Sequence, residues 1–153
     1  MKNSQTIKQQ LSLLKQINKP LDEERYWNCI EKILNNPIKR FNIVNELTKE
    51  LETYSLEDIK GFYLRTEQLA KDIHTSSLQT IAGKLNEEGC TDDGFDYFIS
   101  WIISQGKKMY YIAKENPQLL LEELEVGTYD FEQFAFIPDT VFENITGEDL
   151  YFY

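Results

Sequence analysis

The amino-acid sequence predicts an all-α fold, a single domain of about seven to nine helices. Apolar residues recur at helical spacing along most of the 153-residue chain, and no segment alternates apolar and polar residues as a half-buried strand does. The seven Gly and four Pro are too few for the many tight turns of a β-sandwich. Because the predicted helices differ in length and meet at Gly and Pro, we expect an orthogonal assembly rather than a simple bundle.

Three helices are predicted in the first third of the chain. The first covers residues 5–17 and ends before Pro20, because the residue preceding a proline avoids helical angles. The second begins at Asp22, where carboxylates suit the helix dipole. The third begins at Asn36 and Pro37, an N-cap followed by proline at the first helical position. The residues expected on their inner faces are Ile7, Leu11, Leu14, Tyr26, Trp27, Ile30, Ile33, Leu34, Phe41, Val44, Leu47 and Leu51.

The middle of the chain predicts a long helix, a shorter one and a central helix. Ser55 opens the long helix in the form of a capping box, and residues 75–77 either break it or pass through as a weak point. The next helix ends at Gly89, and the central helix runs from Asp92 to a cap or kink at Gly106. The expected inner residues are Ile59, Phe62, Tyr63, Leu69, Ile73, Leu78, Ile81, Ala82, Leu85, Phe95, Phe98, Ile99, Ile102, Met109, Tyr110 and Ala113.

Two further helices are predicted in the last quarter of the chain. An Asn before Pro117 repeats the capping signal and opens an acidic helix that ends at Gly127. Asp130 resembles the start of another capping box. Pro138 is expected to break or kink the chain after it, and a last helix ends at Gly147.

The net charge of −10 is distributed unevenly along the chain. Residues 1–20 carry four Lys and no acid, whereas residues 115–153 carry ten acidic residues and no base. Such an acidic surface repels nucleic acid and anionic lipid and attracts basic proteins, so we expect a basic protein partner and neither nucleic acid nor membrane. The alternative interpretation is a solvated face that only keeps the protein soluble.

The lack of a recognisable targeting signal and the small number of cysteines predict a cytoplasmic protein. No apolar run approaches the roughly 18 residues of a membrane span, and the N-terminus lacks the apolar core of a secretory signal. Cys29 and Cys90 are too few for a disulfide scaffold and are expected to be free thiols.

One run of residues is specific enough to indicate a family. From Gly89 to Gly106 the sequence is GCTDDGFDYFISWIISQG, and weaker matching elements lie at residues 26–30, 54–59 and 116–120. These motifs resemble those of the bacterial domain of unknown function 4240 family, over residues 21–150. The resemblance implies a single helical domain over residues 21–153, preceded by an added helix within residues 1–20. It implies no activity. The chain departs from the family pattern at Thr80, where members tend to have an aromatic residue, and at Ile99, where they tend to have Arg.

The acidic turn of this run is the first candidate site. Asp92, Asp93 and Asp96 could share Mg²⁺ or Ca²⁺ or supply a general base, although their spacing is not that of an EF-hand loop. The alternative is structural: Thr91 or Asp92 caps the helix and the remaining carboxylates meet its dipole. We favour capping, and we expect no metal and no cofactor.

Two other sets of residues are candidates for chemistry or binding. Cys90 before a helix N-terminus could be a nucleophile with His74, the single histidine, as its base, but no motif supplies an oxyanion hole. The alternative is a buried thiol and a polar imidazole. Aromatic residues at helical spacing are expected in the core first and against a ligand second. The candidate binding residues are Trp27, Asp92, Asp93, Trp101 and Gln105.

The absence of a catalytic motif favours a non-enzymatic binding or regulatory protein, immunity-like or adaptor-like, that docks a basic protein partner. The alternative is an enzyme of unknown class that uses Asp92, Asp93 and Asp96, with or without a divalent metal. A third hypothesis is a structural protein that assembles through exposed aromatic residues, for which residues 151–153 are candidates. The sequence leaves the oligomeric state open.

Overall fold

The structure is a computed structural model that describes residues 4–153, together with the side chains from residue 6 onward. Over these residues the chain is all-α, as predicted, with nine α-helices and no strand. The helices are α1 Ser4–Leu14, α2 Glu23–Leu34, α3 Ile43–Glu52, α4 Leu56–Ile73, α5 Ser76–Leu85, α6 Asp92–Ser104, α7 Lys107–Glu115, α8 Leu120–Glu123 and α9 Glu132–Thr146. Three 3₁₀ turns cover Lys39–Phe41, Pro117–Leu119 and Leu150–Phe152. The predicted segment 1–20 includes residues 1–3, which lie outside the described residues.

Side-chain caps explain where several helices begin. In each case a Ser, Thr or Asp oxygen accepts a hydrogen bond from a backbone N–H in the first turn, which has no partner within the helix. The capping bonds are Asp22 to Arg25 (3.0 Å), Ser55 to Asp58 (3.1 Å), Thr75 to Leu78 (3.2 Å) and Thr91 to Gly94 (3.0 Å). The predicted long helix does break, at residues 74–75: α4 ends at Ile73, and Thr75 caps α5, whose first turn includes residues 76–77.

Helix α6 lies in the middle of the core and packs against α4, α7 and α9. Its predicted stripe is fully buried, with Phe95, Phe98, Ile99 and Ile102 all inside. A second part of the core is aromatic: Tyr26 stacks on Phe62 with ring centroids 4.5 Å apart. These contacts fix α6 relative to the helices on both sides. None of the helices in the described part of the chain is long and apolar enough to cross a membrane.

The third helix begins later than predicted. Asn36 does not cap an α-helix; its Oδ1 accepts hydrogen bonds from the backbone N–H groups of Ile38 (2.9 Å) and Lys39 (3.0 Å) and so closes a tight turn. The chain then makes a 3₁₀ turn, and α3 starts only at Ile43. The prediction that Phe41 lies inward is therefore wrong, because its side chain is 78% exposed.

Helix α9 also differs from its prediction. It continues through Pro138, so no break occurs there. Proline inside a helix removes one hydrogen bond and costs about 3 kcal/mol, but the Pro138 ring is buried beside Ile137 and Val141, and that packing offsets the loss. The predicted capping box at Asp130 is wrong, because Phe131 occupies the N-cap position without a side-chain capping bond.

Candidate functional site

The acidic turn caps the central helix. Thr91 supplies the capping oxygen, and Asp92 and Asp93 lie exposed in the first turn of α6. Asp92 accepts a hydrogen bond from the side chain of Gln79 (3.4 Å). Asp96 lies one turn further along, with its Oδ1 3.5 Å from His74 Nε2. Among the residues that the structure describes, no group of three or more His, Cys, Asp or Glu side chains has the geometry to hold a metal ion.

The structure does not favour an activated thiol at Cys90. Burial, with a smaller contribution from the charge of Asp92, raises the pKa of Cys90, which disfavours the reactive thiolate. Its thiol donates weakly to the carbonyl of Thr91 (3.6 Å). His74 lies against the ring of Phe95, with centroids 4.8 Å apart, and pairs with Asp96. Cys29 is also a free thiol and is buried.

Trp27 belongs to the core. Its side chain is 2% exposed and its Nε1 donates to Glu23 Oε1 (3.1 Å). The same carboxylate accepts a hydrogen bond from the hydroxyl of Tyr111, and that bond is the main reason that the pKa of Glu23 is lowered. The ring packs against Tyr26 and Tyr110, and the small part of Trp27 that remains exposed lines a hollow between α2 and α7.

Trp101 and Gln105 lie together near the C-terminal end of α6. They line a hollow of about 300 Å³ whose other walls include Arg40, Phe41 and Phe131. The Trp101 ring also packs on Tyr129, with centroids 4.6 Å apart. The five predicted binding residues therefore fall into three places: the core edge between α2 and α7, the start of α6, and this hollow.

A larger groove of about 490 Å³ lies between α4, α6, α9 and the last 3₁₀ turn. No Lys or Arg lines this groove, which is bordered by carboxylates and aromatic rings from all four elements. The carboxylates are Glu67, Asp96, Glu132, Asp139 and Asp149, and the rings are Tyr63, Tyr97, Phe136 and Tyr151. We call this surface the acidic groove. Of the site residues predicted from sequence, it contains Asp96, and of the terminal aromatic residues proposed for assembly it contains Tyr151.

The negative charge of the acidic groove is concentrated enough to act on its tyrosines. Burial raises the pKa of Tyr63, and the charges of Glu67 and Asp139 raise it further. The pKa of Tyr97 is raised chiefly by its hydrogen bond to the carboxylate of Glu132. A phenolate is disfavoured at both positions because a second negative charge is repelled there. A bound cation would be attracted for the same reason.

The aromatic rings of the acidic groove are partly open to solvent. Phe136 is 56% exposed and Tyr151 is 81% exposed, whereas Leu150 between them in the groove wall is buried. Of the three terminal aromatic residues, Tyr151 and Phe152 are exposed and Tyr153 packs back on Phe142. Exposed rings beside carboxylates offer an apolar surface next to negative charge.

Hydrogen bonds hold the wall formed by the last 3₁₀ turn. Asp139 accepts from the backbone N–H of Leu150 (2.9 Å), and Asp149 accepts from that of Tyr151 (2.8 Å). The buried Lys60 ammonium donates to the carbonyl oxygens of Leu14 (2.6 Å) and Tyr153, and burial lowers the pKa of Lys60. The groove is therefore a preformed feature of the domain.

Sequence patterns indicated this groove only indirectly. Three of its carboxylates come from residues 115–153, the segment without a base. Phe136 and Asp139 also lie off the buried stripe of α9, which marks them as surface positions. No local motif joins them to Glu67, which is distant in sequence.

Comparisons with known proteins give a family. The family model described as "Protein of unknown function (DUF4240)" matches residues 21–144. No curated protein and no solved structure matched the chain.

Proposed function

The chain belongs to the family described as "Protein of unknown function (DUF4240)", and we propose that it is a non-enzymatic binding protein that docks a basic protein partner in the acidic groove. The observation that carries this proposal is a preformed groove lined by five carboxylates and four aromatic rings, with no Lys or Arg among its lining residues. An immunity protein against a basic toxin and an adaptor are the roles of this kind that we favour.

Electrostatics supports a basic partner. The carboxylates of the acidic groove come from four elements and line one concave surface rather than one solvated helix side. A cleft lined by charge of one sign concentrates its field and raises the association rate of an oppositely charged partner. The seven acidic residues of segment 115–153 that do not line the groove extend this potential beyond it.

The exposed rings favour a binding surface over a face that only keeps the protein soluble. Solubility does not require Phe136 and Tyr151 to be exposed beside carboxylates. Arg and Lys carry an apolar stem and a cationic head, so the stem can pack on a ring while the head meets a carboxylate. A cation over an aromatic face adds about 0.5–1 kcal/mol at an exposed site.

A matched pair of peptides tests the proposal. The probe is a fluorescent peptide of alternating Arg and Leu, and its counterpart has citrulline, which is neutral, in place of Arg. We expect the Arg peptide to bind with an affinity that falls as salt is raised, because ions screen the attraction. We expect the citrulline peptide to bind at least about tenfold more weakly, which corresponds to about 1.4 kcal/mol.

Charge-neutral variants locate the binding site. E67Q/E132Q removes two charges from the acidic groove, and E88Q/E143Q removes two exposed charges that do not line it. The first variant should weaken binding of the Arg peptide and the second should leave it nearly unchanged. Equal losses in both variants, or an affinity that ignores salt, would show that the groove is not the docking site.

A further inference from the structure

A second exposed surface of the molecule is basic and apolar, so its charge is opposite to that of the acidic groove. The segment Pro37–Phe41, which we call the basic turn, places Lys39 and Arg40 between two exposed apolar side chains. Ile38 is 81% exposed, and Phe41 on the other side is nearly as exposed. Large apolar side chains flanking two cations on a projecting turn are typical of a contact surface rather than of a solvated loop.

The basic turn is fixed before any partner arrives. The two hydrogen bonds to Asn36 Oδ1 close its start, and the backbone N–H of Asn42 donates to the carbonyl of Lys39 (2.9 Å) at its end. The Arg40 guanidinium lies over the Phe41 ring, 4.8 Å from its centroid. Because these bonds already hold the backbone of the turn, docking it loses little backbone entropy.

The cations of the basic turn are largely free for a partner. Lys39 Nζ lies 3.8 Å from Oε2 of Glu46, a carboxylate that also pairs with the nearby Lys49, and a pair this long with an exposed lysine contributes little. Arg40 forms no ion pair within residues 4–153. Two positive charges and two apolar side chains therefore face outward together.

We infer that the acidic groove receives the basic turn of a second copy of this chain. This inference rests on the proposed function, since it assigns an occupant to the same groove. The cations of the turn match the carboxylates of the groove, and Ile38 and Phe41 match the exposed rings of Phe136 and Tyr151. A turn cannot fill its own groove, because Phe41 lies beside Trp101 and Gln105, at the other end of α6 from Asp96.

In the inferred dimer the two copies are related by a two-fold axis. The acidic groove contacts the middle of α6, from Asp96 to Ser100, and the basic turn lies by its C-terminal end. Two copies with antiparallel α6 helices bring each turn to the groove of the other copy. This contact is the same in both directions and closes without further addition. The dimer covers the groove, so it competes with the basic partner.

Charge reversal tests the dimer. The turn variant is K39E/R40E, the groove variant is E67K/E132K, and the matched control is K71E/K84E, two exposed lysines elsewhere. Molar mass is measured by light scattering and sedimentation over a range of concentrations at low and high salt, with circular dichroism as the check of folding. The full chain and the control should form a dimer that salt weakens, and the turn and groove variants should each dissociate at least tenfold more readily.

Mixing the two reversed variants gives the decisive result. In the mixed pair the unchanged basic turn of the groove variant meets the unchanged acidic groove of the turn variant, and the acidic turn meets a groove in which two carboxylates have become lysines. An equimolar mixture of turn and groove variants should therefore form a heterodimer more readily than either variant pairs with itself. A monomer at every concentration in low salt, or a turn variant that dimerises as the full chain does, overturns the inference. If the Arg peptide still binds the groove in that case, the proposed function stands and only the dimer is refuted. If the groove charges affect neither the affinity for the peptide nor the molar mass of the protein, the proposed function and the dimer are both refuted.

Discussion

Substituting Gly106 by alanine should destabilise the fold substantially. Gly106 joins α6 to α7 with φ +100° and ψ 178°, a region open essentially to glycine alone. A Cβ at this position would lie 2.6 Å from Glu31 Oε1 and 3.1 Å from Leu34 Cδ1. Glu31 Oε1 accepts a hydrogen bond from the backbone N–H of Lys107 (2.8 Å), the first residue of α7, so displacing this carboxylate also removes a helix cap.

The expected loss combines these two effects. A non-glycine residue held in such a conformation costs about 1–3 kcal/mol, and a lost capping bond costs about 1 kcal/mol. Gly106→Ala should therefore lower the free energy of unfolding by about 2–4 kcal/mol, a large part of the roughly 5–15 kcal/mol typical of a domain. Urea titration followed by circular dichroism measures this, and an unchanged slope would show that the folded state keeps its compactness.

A second glycine provides the matched control. Gly83 lies inside α5, and a Cβ there would meet no atom within 4 Å. Gly83→Ala should stabilise the protein by about 0.5–1 kcal/mol, because alanine favours a helix interior. In the double variant G106A/E31A the loss should be less than additive, since the clash and the cap involve the same carboxylate. A loss below about 0.5 kcal/mol for Gly106→Ala would refute the argument.

Two further predictions concern the cap of α6 and alkaline pH. Thr91→Ala should lower the free energy of unfolding by about 1 kcal/mol, and Asp93→Asn by only a few tenths; equal losses in urea titrations would contradict Thr91 as the cap. Burial raises the pKa of Tyr26 and Tyr110 above the ordinary value of 10.0. The folded chain then holds protons that the unfolded chain releases, so stability should fall as pH rises above about 10. Urea midpoints measured with phenolate absorbance test this, and midpoints that do not change between about pH 9 and pH 11 would contradict it.

The parts of the fold that the sequence predicts well are those set by local signals. Helix α6 begins after the Thr91 cap, is followed by Gly106 and carries apolar residues at helical spacing. The structure buries those apolar residues fully. The cap at Ser55 likewise marks the start of α4. Such signals depend on neighbouring residues alone, so no tertiary contact is needed to interpret them.

The errors arise where distant contacts or side-chain turns decide the outcome. An Asn before a Pro is typical both of a helix cap and of a tight turn, and Asn36 closes a turn. The helix predicted from it therefore begins too early, and Phe41 is wrongly expected to lie inward. At Pro138 the sequence predicts a break because proline removes a helix hydrogen bond, but the ring is buried and the helix continues. The acidic groove combines residues from Tyr63 to Tyr151, and no periodicity connects segments so far apart.

Because α6 contributes to both surfaces, a change in its packing affects them together. Asp96 and Tyr97 face the acidic groove, Trp101 and Gln105 face the hollow beside the basic turn, and the buried stripe of the same helix holds all four in place. A shift of α6 would move the side of the acidic groove and the side of the hollow together. A substitution in the interior of α6 would therefore alter both surfaces at once, even though neither surface contains the substituted residue.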